Sequence, residues 1–397
     1  MQPGWKKAVL GALTLVLFAA LLARTARQLD EAPLRNWDML PAMALALEWG
    51  EPDPVALHQR TYAAARAELP PRTFEALVAP GVRQARFQDP AAFHEHLAFY
   101  RSRVLYTLAV RALHGLGVPL TAATWRVSIA CWAAVAVLFL VWARRIVPLP
   151  LAAALALGLA HLPALLNLAG TSSADGLALL LTCLGAWALL ERRAFALGAA
   201  FLVLAIGARP DAAILLGCVA LAFRFGLPPG EGHSEGSGER PSPRAVTAAL
   251  VLGAALTLGL RRFSGEYGWW PLIQISFVEK AVHPSALPTA VDWGEYFAIL
   301  GRQLALLPGD GYVKPANEVT GSTLVFPWLA LAALGLWLGA RERRVQAFLA
   351  ALLVAYLARF LLFPQVWDRF YAPFYALVPL ALLTLLGSRR RAEPSAA

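Results

Sequence analysis

The sequence predicts an all-α polytopic membrane protein with about ten transmembrane helices and a long helical first extracytoplasmic loop. Three observations carry that expectation. The 397 residues are 58% hydrophobic and only 15% charged, whereas an average soluble domain is about 25% charged. The mean hydropathy is +0.56. The charges also cluster, falling in short groups and two long loops between apolar runs, as expected when those runs lie in lipid.

The apolar runs lie at roughly 8–23, 126–143, 149–166, 176–190, 195–208, 211–224, 245–260, 323–340, 345–363 and 370–387. Several are shorter than the ~20 residues of a straight span. The pair at 195–208 and 211–224, broken by Arg209-Pro210-Asp211, reads as two short helices or one re-entrant hairpin. Trp5-Lys6-Lys7 before Ala8 to Ala23 lacks a clear cleavage site and reads as an uncleaved first helix.

Orientation follows from the basic groups. Lys6-Lys7, Arg144-Arg145, Arg192-Arg193, the ends of the 224–244 loop, Arg341-Arg343-Arg344 and Arg389-Arg390-Arg391 share one side of a ten-span arrangement. The positive-inside rule makes that side the cytoplasm, with both termini there, in a membrane of the bacterial inner-membrane type. The net charge of +10 is then a topological signal. No basic stripe with interleaved aromatics points to nucleic acid.

Three sections follow: a membrane module at 1–225 including the extracytoplasmic loop 24–125, a Gly/Ser/Glu-rich cytoplasmic linker at 226–244, and a second membrane module at 245–397 including the loop 261–322. The linker composition predicts a flexible segment. The run Val104 to Val118 carries Arg111 and His114 and would invert every later basic group if it crossed, so it reads as an interfacial amphipathic helix. Cys131, Cys183 and Cys218 lie far apart inside apolar runs and read as core residues.

Polar residues with chemical potential gather on the non-cytoplasmic side. Asp38 follows the first helix beside Trp37. Asp175 ends the short loop Thr171-Ser172-Ser173-Ala174-Asp175, where it also suits a helix start. Arg209 sits between two short apolar runs, a costly position at roughly 2.5–3.5 kcal/mol for a helix centre. It suits either bidentate phosphate binding or a pair with Asp211. His94, His96, Arg101 and Arg103 form a basic patch suited to an anionic lipid headgroup; the two histidines do not share a helical face. Asp368, Arg369 and Tyr371 open the last helix, with Arg359 ahead of them, and Trp269, Trp270 and Trp293 with Glu266, Lys280, His283 and Asp292 mark the second long loop. No P-loop, GxGxxG, HExxH or GxSxG motif is present.

The order of these features resembles the GT-C superfamily of polytopic glycosyltransferases, over roughly 1–225 and 345–387. The features are Asp38 after the first helix, the run from Tyr100-Arg101-Ser102-Arg103 to Arg144-Arg145, the loop Thr171 to Asp175, the turn Ala208 to Asp211, and the segment Asp368 to Pro373. The resemblance implies inverting transfer of a sugar from a polyprenyl-phosphate donor to an extracytoplasmic acceptor. It implies Asp38 as catalytic base or metal contact and Asp175 as the second acid. It implies Arg101, Arg103, Arg209, Asp368, Arg369 and Tyr371 at the substrate, and admits a divalent cation at Asp38 and Asp175. The double-acid motif of many members is absent from the first loop. The competing expectation is a lipid or polysaccharide transporter or an envelope scaffold, for which His161 is almost the only polar residue at mid-membrane depth.

Overall fold

The computed structural model describes residues 3–227, 240–265, 267–278, 280–306, 312–314, 318–320, 325–338 and 342–392. The expected mobile linker at 228–239 and Glu266 lie outside them. The described chain is helical except for one short antiparallel hairpin, β1 (Tyr312–Lys314) with β2 (Glu318–Thr320), which pairs Val313 with Val319.

Helix α1 (Pro3–Glu31) leads into a cap of six helices: α2 (Met39–Glu48), α3 (Pro54–Glu68), α4 (Pro71–Leu77), α5 (Val82–Gln88), α6 (Pro90–Arg101) and α7 (Val104–Gly115). The bundle continues with α8 (Leu120–Ala143), α9 (Leu149–Ala160), α10 (Pro163–Gly170), α11 (Asp175–Leu190), α12 (Phe195–Ala208) and α13 (Ala212–Gly226). It closes with α14 (Pro243–Phe263), the shorter α15 (Trp269–Phe277) and α16 (Trp293–Leu306), and then α17 (Val325–Leu338), α18 (Arg343–Leu362) and α19 (Ala372–Ala392). Local chemistry sets several starts. Asp53, Asp89 and Ser242 each accept a backbone N–H at the head of α3, α6 and α14, and each precedes a proline at the first helical position.

Among the described residues, four helices are long and apolar enough to cross a membrane: α1, α8, α14 and α18; α9 and α10 make a fifth if counted as one broken span. The expectation is about ten transmembrane helices, and the structure shows four to five long enough to span by length and composition. The run at 149–166 bends by 64° between α9 and α10 because Pro163 lacks an N–H and holds Leu162 extended. The run at 195–224 resolves into two helices of 14 and 15 residues, about 21–23 Å each, against a hydrocarbon layer of ~30 Å. The expected interfacial helix is α7, whose 12 residues reach only about 18 Å.

Two apolar cores result. One fills the bundle around Trp132, Phe139, Trp142, Leu179, Phe223, Phe348 and Tyr375. The other lies under the cap around Trp37, Met39, Leu40, Met43, Phe93 and Tyr106. Helix α1 is the least buried span and leaves Leu10, Leu13, Val16, Leu17 and Leu21 exposed; such a face suits lipid, where polar covering is not needed.

Helices α11 and α12 approach most closely at Gly185 and Gly198. A side-chain carbon at Gly198 would lie 2.7 Å from Leu189 Cδ2 and 3.1 Å from the Gly185 carbonyl. Small residues permit such contacts between spans. Gly198→Val is expected to cost about 1–3 kcal/mol through overpacking. It should lower Tm and monodisperse yield in detergent, while Gly158→Ala, at a position with open space around it, leaves both unchanged.

Candidate functional site

The connections α1–α2, α10–α11, α12–α13 and α18–α19 meet at one end of the bundle. The first two are zipped together by Leu34 N–H donating to the Gly170 carbonyl at 2.9 Å and Ser172 N–H donating to Asn36 Oδ1 at 2.9 Å. Ser128 Oγ on α8 donates to the carbonyls of Thr171 (2.8 Å) and Ser173 (3.1 Å). Gly176 allows that approach, since a Cβ there would sit 3.1 Å from Ser128 Cα.

Asp38 occupies the cap position of α2 without capping it. Its carboxylate accepts from Tyr100 Oη at 2.7 Å and from Arg369 Nη1 at 3.1 Å. The Arg369 Nε lies 3.8 Å from Asp175 Oδ2, so one guanidinium bridges the two acids. Asp175 also accepts from Arg209 Nη1. Arg209 ends α12 in an extended conformation, as a residue before proline prefers, and it forks onto both Asp211 oxygens at 2.9 and 3.0 Å. Arg359 reaches the same Asp211 from α18 at 2.6 Å and the Phe370 carbonyl at 2.6 Å. The ring of Phe370 lies within 5.1 Å of three guanidinium carbons, those of Arg209, Arg359 and Arg369.

A cavity opens beside this network, lined by Asp175, Asp211, Arg209, Arg359, Arg369 and Tyr356 among others. Asp38 does not line it; Arg369 stands between. Burial pushes the Asp38 carboxyl up, but the charges of Arg369 and Arg103 and the Tyr100 hydroxyl outweigh it and hold the group below the usual carboxylate range. Burial and the neighbouring Asp38 raise the Tyr100 phenol, so it stays a donor.

The structure thus brings Asp38, Asp175, Arg209 and Arg369 together, with Arg103 near them. The Arg103 guanidinium lies 4.4 Å over the Tyr100 ring, and its side chain makes no hydrogen bond or ion pair among the described residues. Three of the expected substrate residues do not line the cavity. Arg101 is taken by Glu48 at 2.5 Å and by His94 at 2.8 Å, away from the cavity, so the basic patch is divided. Tyr371 is buried, and its hydroxyl donates to the Gln365 carbonyl. Asp368 is buried and accepts from Tyr375 Oη at 2.7 Å. Neither lines the cavity; both brace the turn carrying Arg369. A divalent cation does not fit the donors at Asp38 and Asp175: no group of three or more acids, histidines or cysteines forms among the described residues, and Arg369 already bridges the pair.

Reading residue by residue undervalued Asp211, Arg359, Tyr100 and Phe370. Arg359 carried the usable signal, as an arginine inside an apolar span is by default a functional residue. No protein-family model, curated protein or solved structure matches the chain.

Asp211→Asn leaves two guanidinium groups short of an acceptor and is expected to cost about 1–3 kcal/mol, read as a lower Tm in detergent. Breaking the exposed Arg302–Glu295 pair on α16, 57% and 37% accessible, should cost under about 1 kcal/mol. The depressed Asp38 carboxyl contributes fully above the unfolded value of about 3.9, and that contribution fades as pH falls through its lower folded value. The Tm difference between wild type and Asp38→Asn should therefore stay constant from pH 7 to 5 and shrink only below about pH 4.

Proposed function

We propose that the chain is a GT-C-like membrane glycosyltransferase that moves a sugar from a polyprenyl-phosphate donor to an acceptor on the non-cytoplasmic side, with inversion. In this reading the shorter apolar helices complete a bundle of about ten membrane segments, both termini are cytoplasmic, and the cap α2–α7 is extracytoplasmic. The observation that supports it most is the meeting of Arg209, Arg359 and Arg369 with Asp175 and Asp211 in one cavity at the end of an apolar bundle. A lipid-borne phosphate needs that combination: cations at the boundary of the bilayer, with a base within reach.

The acceptor oxygen attacks the anomeric carbon as its proton passes to the Asp38 carboxylate. The bond from that carbon to the phosphate oxygen breaks, and its electron pair leaves on the polyprenyl phosphate. Arg209, Arg359 and Arg369 hold the developing charge, as preorganised cations do in a water-poor site. Arg103, with no acid of its own among the described residues, adds a cation for the donor phosphate.

In the resting arrangement Asp38 is a weak base, because Arg369 and Tyr100 stabilise its charged form. A donor phosphate competes with Asp38 for Arg369. Once Arg369 turns to the phosphate, the Asp38 carboxylate loses its ion-pair partner and gains basicity. Asp175, held by Arg209 and lining the cavity, keeps the remaining arginines in place.

The test uses the purified protein with farnesyl phosphate and farnesol, and with a panel of short-chain polyprenyl-phosphate sugars. Farnesyl phosphate should raise Tm and farnesol should not. Asp38→Asn should cut transfer by about 10²–10⁴-fold at normal expression. Arg103→Gln should raise KM for the donor by about tenfold or more, the loss of one charged hydrogen bond, with a smaller effect on kcat. Full transfer by a folded Asp38→Asn variant removes the base from Asp38. No response to farnesyl phosphate removes the phosphate donor.

A further inference from the structure

The cap contains a second cation, set apart from the cavity. Arg86 on α5 is buried at 6% accessibility, and among the described residues no carboxylate pairs with it. Its Nη2 donates to the Ala281 carbonyl at 3.0 Å, and its own carbonyl is bonded to His58 Nε2 at 3.1 Å. A buried charge normally has a partner of opposite sign, since desolvation otherwise costs several kcal/mol. Burial pulls the Arg86 guanidinium down to about 10, which leaves it charged at neutral pH.

The residues around Arg86 share its deficit. Arg86 Nε, Trp37 Nε1, Tyr62 Oη and His96 Nδ1 are all buried and have no hydrogen-bond partner among the described residues. The four side chains are each more than nine-tenths buried. They are also neighbours. The Arg86 guanidinium lies 5.3 Å from the Trp37 ring centre, and Trp37 meets His96 edge-on at 4.9 Å. Tyr62 packs on His58 at 4.7 Å, whose imidazole bonds Arg86. Two of the four atoms, the arginine Nε and the indole Nε1, can only donate, and a hydroxyl and a neutral imidazole can. Burial and the charges of Arg86 and Arg103 keep His96 neutral. The region therefore offers one positive charge and up to four N–H or O–H donors, with no anionic acceptor among the described residues to receive them.

We infer that the cap binds a small monovalent anion, of the size and charge of chloride, against Arg86, with Trp37, Tyr62 and His96 as the further donors. Water also accepts hydrogen bonds, but it brings no charge to balance the guanidinium. Occupancy has a consequence for the cavity. Trp37 directly precedes Asp38, and His96 lies 5.5 Å from the ring of Tyr100, which bonds Asp38. The anion thus orders the two segments that present the Asp38 carboxylate and its hydroxyl donor. This inference stands on the cap alone and does not depend on the reaction proposed for the cavity.

The test compares the detergent-purified full chain in sodium gluconate, chloride and bromide at one ionic strength. Tm should rise by several degrees in the halides and saturate along a one-site curve, since a ligand of the native state stabilises by mass action. A bromide-soaked crystal should give an anomalous peak beside Arg86. Arg86→Met should abolish the halide response, and Trp37→Phe, which keeps the packing and removes one donor, should shift its midpoint to higher halide. If Arg86→Met fails to fold, the bromide peak and the Trp37→Phe midpoint decide. A wild type insensitive to halide, a water in place of the bromide peak, or an unchanged response in Arg86→Met overturns the inference.

Discussion

Everything at the open end of the bundle depends on the sharing of Asp211 between two arginines that arrive from different helices. Arg209 forks onto both carboxylate oxygens from the end of α12, and Arg359 reaches one of them from α18. Coulomb attraction at such distances is worth about 1 kcal/mol in water and several times that near a protein surface. The pairing also fixes where α12, α13 and α18 stand relative to one another. Its two cations are then available to whatever anion lies in the cavity. A single Arg–Asp pair would neutralise itself and offer nothing. Here three arginines face Asp175 and Asp211 from the cavity wall, and the third, Arg369, spends its contacts on Asp38 and Asp175. Every acid in the network is shared or bridged by guanidinium groups, so each arginine keeps donors free.

The short helices make that arrangement possible. At about 21–23 Å, α12 and α13 are shorter than the ~30 Å of a hydrocarbon layer, and the Arg209-Pro210-Asp211 turn between them lines the cavity through Arg209 and Asp211. The close pass of α11 and α12 at Gly185 and Gly198 sets Asp175, at the start of α11, against Arg209, at the end of α12. The cost of holding charge at depth is met by the ring of Phe370, which faces three guanidinium groups at once.

Much of this was legible in the sequence, and what was missed has a physical reason. Composition alone gave a helical membrane protein, and the distribution of basic residues led to the acids and arginines that do meet, namely Asp38, Asp175, Arg209 and Arg369. The number of long spans is lower than the number of apolar runs because such a run does not reveal its length as a helix: Pro163 bends one run, and the break at Arg209-Pro210-Asp211, legible in the sequence, leaves two helices of 14 and 15 residues. Arg101 and Arg103 could not be told apart by type. They are two residues apart at the end of α6, and only the fold shows that Glu48 and His94 claim the first and leave the second over Tyr100. Asp368 and Tyr371 look like site residues for the same reason. Local sequence cannot show that Asp368 accepts from Tyr375, seven residues on, and that Tyr371 donates to the Gln365 carbonyl.

The cap and the bundle divide the work of the site unequally. The bundle supplies Asp175, Arg209, Asp211 and Arg359, which brace one another and are set by helix packing. The cap supplies Asp38 and Tyr100, which touch the bundle network only through Arg369. That single link is the weakest joint in the network, since one hydrogen bond to a charged group contributes about 1.5–3 kcal/mol and an incoming anion competes for it directly. Four charged groups on the bundle side are mutually tied, whereas the cap side can part from them at the loss of one contact. An anion entering the cavity therefore acts first on Arg369, and through it on Asp38, before it disturbs any contact within the bundle. The position of Arg369, between the cavity and the one acid that does not line it, makes that residue the point at which ligand binding and carboxylate basicity are coupled.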